Sequence, residues 1–160
     1  MTMEPRLPGR TTRLDQLGPG SCYLIAGPDG PDLALVVLRD GRREALLLNR
    51  RHEADGHLRI VSEIAPDTDV LALQGAFLAP SGALADIAVG HAALAPAALH
   101  LGDGRAYLCG CDRDGRLAAF DVGSGRVSAM DPGDLPRASR WRVMVPEGNG
   151  VVTVYAAEPA

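Results

Sequence analysis

The chain contains no lysine: all 16 of its basic residues are arginine, 20 residues are acidic, and the formal net charge is −4. A protein that binds nucleic acid normally carries a basic stripe, because neutralising phosphates supplies much of the affinity. Here the only basic doublets, at 42–43 and 50–51, have acidic residues close by. We interpret these doublets as solvated hairpin ends, with a small anion site as the alternative, and we expect no nucleic-acid partner.

Long apolar runs are also missing. No stretch reaches the roughly 18 uninterrupted apolar residues of a membrane span. Residues 1–20 are polar and rich in glycine and proline, unlike a secretion signal. We therefore expect no membrane span and a cytoplasmic protein, either free or assembled into a particle after its synthesis. Cysteine is scarce as well, with three residues, and their thiols stay reduced in the cytosol.

Aromatic residues make up 4% of the chain. Proteins that bind single-stranded nucleic acid or sugars stack the ligand on exposed rings, and a core would bury most of these few. The sequence therefore predicts no broad aromatic binding face. It identifies no small-molecule or glycan ligand.

Turn signals, in contrast, are abundant. Asp-Gly or Asn-Gly pairs stand between apolar runs at 40–41, 114–115 and 149–150, with further turn pairs at 55–56 and 124–125. Glycine accepts the positive φ that a two-residue turn requires, and Asp and Asn tolerate it next best. Such pairs between apolar runs are the strongest short-range hairpin signal. They predict an all-β fold, a mostly antiparallel sandwich or barrel of hairpins.

The apolar runs between these turns indicate whether one or both faces of each strand are buried. Trp141, Val143 and Val145 fall on one face of a strand, as expected where one face is buried. Residues 33–38 and 45–48 are apolar at every position, which predicts central strands that are covered on both faces or paired with a partner subunit. Residues 83–89 fit a strand or the one short helix that the pattern allows.

The beginning of the chain differs from the rest. Residues 1–16 lack apolar periodicity, and we interpret them as an extended N-terminal arm that precedes a single β domain over 17–160. The arm contacts either the domain or a neighbouring subunit. For an interface we predict Leu14 and Leu17 near the arm, together with Leu35 and Val37 from the apolar run.

Two segments of the chain resemble each other. A shift of 84 residues aligns 17–42 with 101–126 without a gap, and nine aligned positions are identical. Duplication of two β-units, over 17–60 and 101–145, explains the match. Chance in a chain rich in Gly, Leu and Ala explains it too, and both readings stay open.

Residues 104–107, 114–121 and 124–126 together resemble one blade repeat of the quinoprotein-type β-propellers. The tryptophan that usually closes such a repeat is absent after Gly125, and no series of blades is present. A propeller needs at least four blades of about 40 residues each. The resemblance therefore implies no cofactor residue here.

The cysteines and histidines offer a metal hypothesis. Cys109 and Cys111 form a C-x-C pair, and His91 and His100 are candidates to complete a site. Structural zinc sites use two closely spaced ligand pairs, and no second C-x-x-C or H-x-x-x-H pair is present. Period two puts both thiols on one face of a strand, where small core residues would lie. We expect no metal and no cofactor.

No nucleophile elbow, P-loop or dinucleotide fingerprint occurs in the chain. Our hypothesis is a non-catalytic β-rich module for binding and assembly, a subunit of a homo-oligomer or of a larger complex such as a virion- or tail-like appendage. Its partner would be another protein or a second copy of itself. Two alternatives stay open: a monomeric adaptor or regulatory domain, and a small enzyme or ligand-binding β-barrel with a histidine-lined cleft, the histidines being His52, His57, His91 and His100.

Overall fold

The structure, a computed structural model, describes residues 9–83, 86–90 and 96–159. These residues contain fourteen strands and no α-helix, which confirms the predicted all-β fold. No helix in this part of the chain has the length and hydropathy that crossing a bilayer requires. The strands are β1 Arg10–Arg13, β2 Cys22–Gly27, β3 Gly30–Arg39, β4 Arg42–Arg51, β5 Leu58–Val61, β6 Asp69–Leu73, β7 Phe77–Pro80, β8 Ile87–Ala88, β9 Leu99–Gly102, β10 Arg105–Cys111, β11 Leu117–Asp121, β12 Arg137–Ala138, β13 Trp141–Glu147 and β14 Gly150–Ala157.

Within the described residues, these strands form two sheets. Sheet A has eleven strands in the order β1-β6-β2-β3-β4-β5-β10-β9-β12-β8, and β11 also pairs with β10. Sheet B has three strands in the order β14-β13-β7. Strands β5 and β10 run parallel, whereas their neighbours pair antiparallel. The predicted mostly antiparallel architecture is therefore confirmed.

One large core joins the two sheets. Leu35 and Leu46 of sheet A pack in it with Trp141, Val143 and Val145 of sheet B. The buried indole N–H of Trp141 donates a hydrogen bond of 2.8 Å to the carbonyl of Ala97, so the ring brings no unpaired donor into the core. Apolar faces of two sheets packed against each other define a sandwich.

The centre of sheet A is buried on both faces. Odd and even positions of β3 enter different clusters: Leu35 lies in the large core, whereas Ala34 and Val36 lie in a second cluster on the opposite face. Leu14 and Ile64 pack over this second cluster from outside the central strands. Of the two predicted alternatives for these apolar runs, cover on both faces or pairing with a partner subunit, the structure shows the first, and the cover comes from the same chain.

The turns follow the glycine signals with one correction. Asp40 and Gly41 both take positive φ, 52° and 76°, in the two-residue turn between β3 and β4. The last hairpin, however, turns at 148–149 instead of the predicted 149–150. Glu147 pairs with Gly150, and Gly148 supplies the positive φ of 57° at the first central position.

The described part of the predicted arm lies on the domain itself. Strand β1 pairs with β6 of the same chain, and the 3-10 turn Leu14–Gln16 follows it. Residues 1–8 lie outside the described residues. In the segment 83–89, positions 84 and 85 also lie outside them, and Ile87–Ala88 forms the short strand β8 instead of a helix.

The two segments of the duplication hypothesis both form antiparallel hairpins, β2–β3 and β10–β11. Their registers differ, however. In the first hairpin Cys22 pairs with Leu35. In the second hairpin Ala106 is aligned with Cys22, and its neighbour Tyr107 pairs with Asp121, which lies three residues further along the chain than the same register would require. The hairpins thus share their place in the alignment but not their loop length, and the duplication stays a hypothesis.

Candidate functional site

The candidate metal ligands do not form a site in the described residues. Cys109 and Cys111 lie two residues apart on β10, and all three cysteines are free and buried. His100 is buried on β9, and His91 lies outside the described residues. Within the described part of the chain, no group of three or more His, Cys, Asp or Glu residues could hold a metal ion.

The environment of the thiols is unfavourable for nucleophilic chemistry. Burial raises the pKa of Cys22 to about 12 and that of Cys109 to about 11. The thiolate is the reactive form, so these side chains remain protonated at neutral pH. They act as small apolar residues of the interior.

Three of the four histidines of the cleft hypothesis lie in the described residues. His52 contacts the backbone carbonyl of Cys111 through Nε2 at 3.0 Å, and its backbone N–H donates a hydrogen bond of 2.9 Å to the carbonyl of the buried His57. His100 is buried on β9. The histidine-lined cleft stays a hypothesis.

The predicted interface residues occupy two different environments. Leu35 and Val37 are completely buried in the large core, where they pack against residues of their own chain. Neither side chain has surface exposed to solvent through which a partner could be contacted. Leu14 and Leu17 are half-buried and pack on the second cluster.

A broad groove of about 1490 Å³ lies between the β3–β4 turn, β11 and residues 126–132. Arg39 forms an ionic network in its wall, with hydrogen bonds of 2.7 and 3.0 Å to Glu44 and a contact of 3.1 Å to Asp112. The backbone N–H of Arg116 and the Arg39 guanidinium hold the pKa of Asp112 below its usual value. One guanidinium thus contacts two carboxylates, and the network has a net charge of −1.

The outer face of sheet B departs from an ordinary solvated face. On β13 the side chains of Trp141, Val143 and Val145 point into the core, so the residues between them face outward. Cross-strand pairing identifies the residues that share this outward direction on β7 and β14. The outer face of sheet B consists of Phe77, Ala79, Arg142, Met144, Pro146, Val151, Thr153 and Ala156.

This face is largely apolar and accessible to solvent. Phe77 is 42% exposed and Val151 is 52% exposed, and both are among the exposed large apolar side chains of the described residues. Arg142 is the single charged residue of the face. Contiguous exposed apolar surface is uncommon on monomeric proteins and is typical of interaction sites.

The charges at the two ends of β13 are opposite in sign. Arg142 lies exposed near the beginning of the strand and Glu147 lies exposed at its end. Neither forms an ion pair with another described residue. By strand alternation Glu147 shares the direction of Val145 and not that of Arg142, so Arg142 is the unpaired charge of the outer face.

Sequence reasoning missed this face. The signal for it was present in the hairpin: Met144, Pro146 and Val151 stand at positions that a solvated strand face would fill with polar residues.

No protein-family model, curated protein or solved structure matches the chain.

Proposed function

We propose that the protein is a non-catalytic assembly module that associates with a second copy of itself through the outer face of sheet B. The observation that carries the proposal is the apolar character of this face, in a protein whose described histidines and cysteines form no metal site. Its assembly into a larger complex such as a virion- or tail-like appendage is part of the proposal and rests on analogy between β-rich assemblies.

The distribution of charge favours a second copy as the partner. A symmetric dimer brings the same patch of both subunits together, so the patch must complement itself. A twofold axis between the two faces, perpendicular to β13 at Met144, would place Arg142 of each copy opposite Pro146 of the other, so the two cations would lie at opposite ends of the interface. The apolar centre of each face, around Met144, would then cover that of its partner.

The size of the face sets the expected affinity. Three strands about 4.8 Å apart, of which the central one has 7 residues and β7 has 4, give a footprint of at most about 14 by 23 Å, or about 300 Å². This is below the roughly 800 Å² per partner of a standard stable interface. We therefore expect a concentration-dependent monomer–dimer equilibrium in the micromolar range, which further contacts in a larger assembly would strengthen.

Sedimentation velocity from low to high micromolar concentration tests the proposal. Val151→Glu places a charge in the apolar face and should shift the equilibrium towards monomer. Leu117→Glu is the matched control, because Leu117 is similarly exposed, at 49%, but lies on β11 of sheet A. A wild-type protein that stays monomeric throughout, or equal effects of the two variants, would refute the assignment.

A further inference from the structure

A separate cavity lies on the opposite side of the molecule from sheet B. It has a volume of about 240 Å³ and lies above the second apolar cluster, on the outer face of sheet A. The 3-10 turn Leu14–Gln16 and residues 61–66 cover it, and we call it the roofed pocket. Backbone hydrogen bonds fix this cover, from Leu14 N–H to Thr68 at 2.9 Å and from Asp15 N–H to Pro66 at 2.8 Å.

The floor of the roofed pocket is apolar. Tyr23, Val36 and Ala45 are buried and line it, and Val61 and Ile64 contribute from the side. A dry cavity of about 150 Å³ is large enough for benzene. The roofed pocket is larger, so one aromatic ring or a short alkyl chain fits together with a small polar group.

The rim of the pocket carries one cation without a carboxylate partner among the described residues. Arg43 lines the pocket, and its Nη atoms make long hydrogen bonds, 3.3 and 3.4 Å, to the carbonyls of Asp15 and Leu14. The two acidic residues of the rim are already paired: Asp15 with Arg13, and Glu44 with Arg39. A ligand carboxylate is the group that would complete the coordination of Arg43.

Tyr23 adds a hydrogen-bond donor to this arrangement. Its hydroxyl makes no hydrogen bond within the described part of the chain, although the side chain is buried. Burial raises the pKa of Tyr23 to about 12, while the nearby charge of Arg43 lowers it. The hydroxyl is therefore protonated at neutral pH and able to donate to an anion.

We infer that the roofed pocket binds a small monocarboxylate whose apolar group is a single ring or a short alkyl chain. The apolar group lies on Val36 and Ala45, and the carboxylate accepts hydrogen bonds from Arg43 at the rim. This site is independent of the proposed dimer face, because none of its lining residues belongs to sheet B.

Isothermal titration calorimetry with 3-phenylpropionate and with octanoate tests the inference on the intact protein. We expect saturable one-site binding of at least one of the two probes. Arg43→Gln should weaken it by roughly tenfold, the effect of losing a hydrogen bond to a charged group. Arg43→Lys should bind with intermediate affinity, because it keeps the charge but loses the bidentate geometry.

The neighbouring arginine provides the matched control. Arg42 precedes Arg43 on the same strand but lines the broad groove instead of the roofed pocket, so Arg42→Gln should bind the probe like the wild type. The neutral analogue 3-phenylpropan-1-ol should bind more weakly than 3-phenylpropionate. No saturable binding of either carboxylate, equal weakening by both Gln variants, or equal affinity for the neutral analogue would each overturn the inference.

Discussion

Acid should destabilise the protein through His100. The side chain is completely buried on β9 between Tyr107 of β10 and Arg137 of β12, and neither ring nitrogen has a hydrogen-bond partner in the described residues. The carbonyl of Pro132 is close to the ring without forming a well-aligned bond. Burial, and then the positive charge of Arg137, lower the pKa of His100 below its ordinary value of 6.5, against a smaller opposing effect of Asp131.

The direction of the effect follows from proton linkage. The native state binds this proton less readily than the unfolded state, so the free energy of unfolding is at its full value above about pH 6.5 and falls as the pH drops towards the native pKa. One proton gives a slope of at most about 1.4 kcal/mol per pH unit. Above that window, His100 contributes no pH dependence.

Urea unfolding of the wild type and of His100→Leu, from about pH 7.5 to about pH 5, isolates this contribution. The variant replaces the imidazole with an apolar group of similar size, and at neutral pH we expect its stability to stay within about 1.5 kcal/mol of the wild type. Every other side chain is the same in the two proteins, so the difference between the two pH profiles isolates His100. Parallel pH profiles for the two proteins would refute the reasoning.

Three further predictions concern the interior. Trp141→Phe should lower the free energy of unfolding by about 1–3 kcal/mol, because the buried carbonyl of Ala97 loses its donor, and urea unfolding followed by circular dichroism measures the loss. Gly110→Ala should cost about 1–3 kcal/mol, because a Cβ there lies 2.5 Å from a buried side chain of β4, whereas Gly18→Ala, with open space around it, should leave the unfolding midpoint unchanged. The thiol of Cys22 should react with a thiol reagent at mildly alkaline pH only after denaturant is added, and fast reaction of the folded protein would contradict the raised pKa.

The sequence was sufficient to predict the class of fold and which strands are buried on both faces. Turn chemistry is local, so an Asp-Gly pair such as 40–41 predicts its hairpin without knowledge of the rest of the chain. A run such as 33–38, apolar at every position, can be stable only with cover on both faces, and this too can be read from the residues. The sequence could not predict which segments cover these strands. In the structure, sheet B covers one face and the segments around Leu14 and Ile64 cover the other.

The candidate surfaces depended on pairing between distant segments. Phe77 joins Met144 on one face because β7 pairs with β13, and no local pattern contains that information. A bulge in the β13–β14 pairing has a similar effect on Tyr155: strict alternation from Val152 would turn this side chain outward. The bulge instead brings Tyr155 inward, where its ring packs edge to face on Trp141 at 6.0 Å.

The sequence by itself therefore determined which segments become strands, where they turn and which runs are buried, because these depend on φ preferences and on the period of neighbouring side chains. Only the tertiary structure decided that sheet B exposes an apolar face, that Arg43 stands unpaired above an apolar pocket, and that His100 is buried without a partner. Each of these depends on which distant strand, charge or carbonyl arrives beside a residue. That is settled by the packing of the whole chain, not by the neighbours of the residue in sequence.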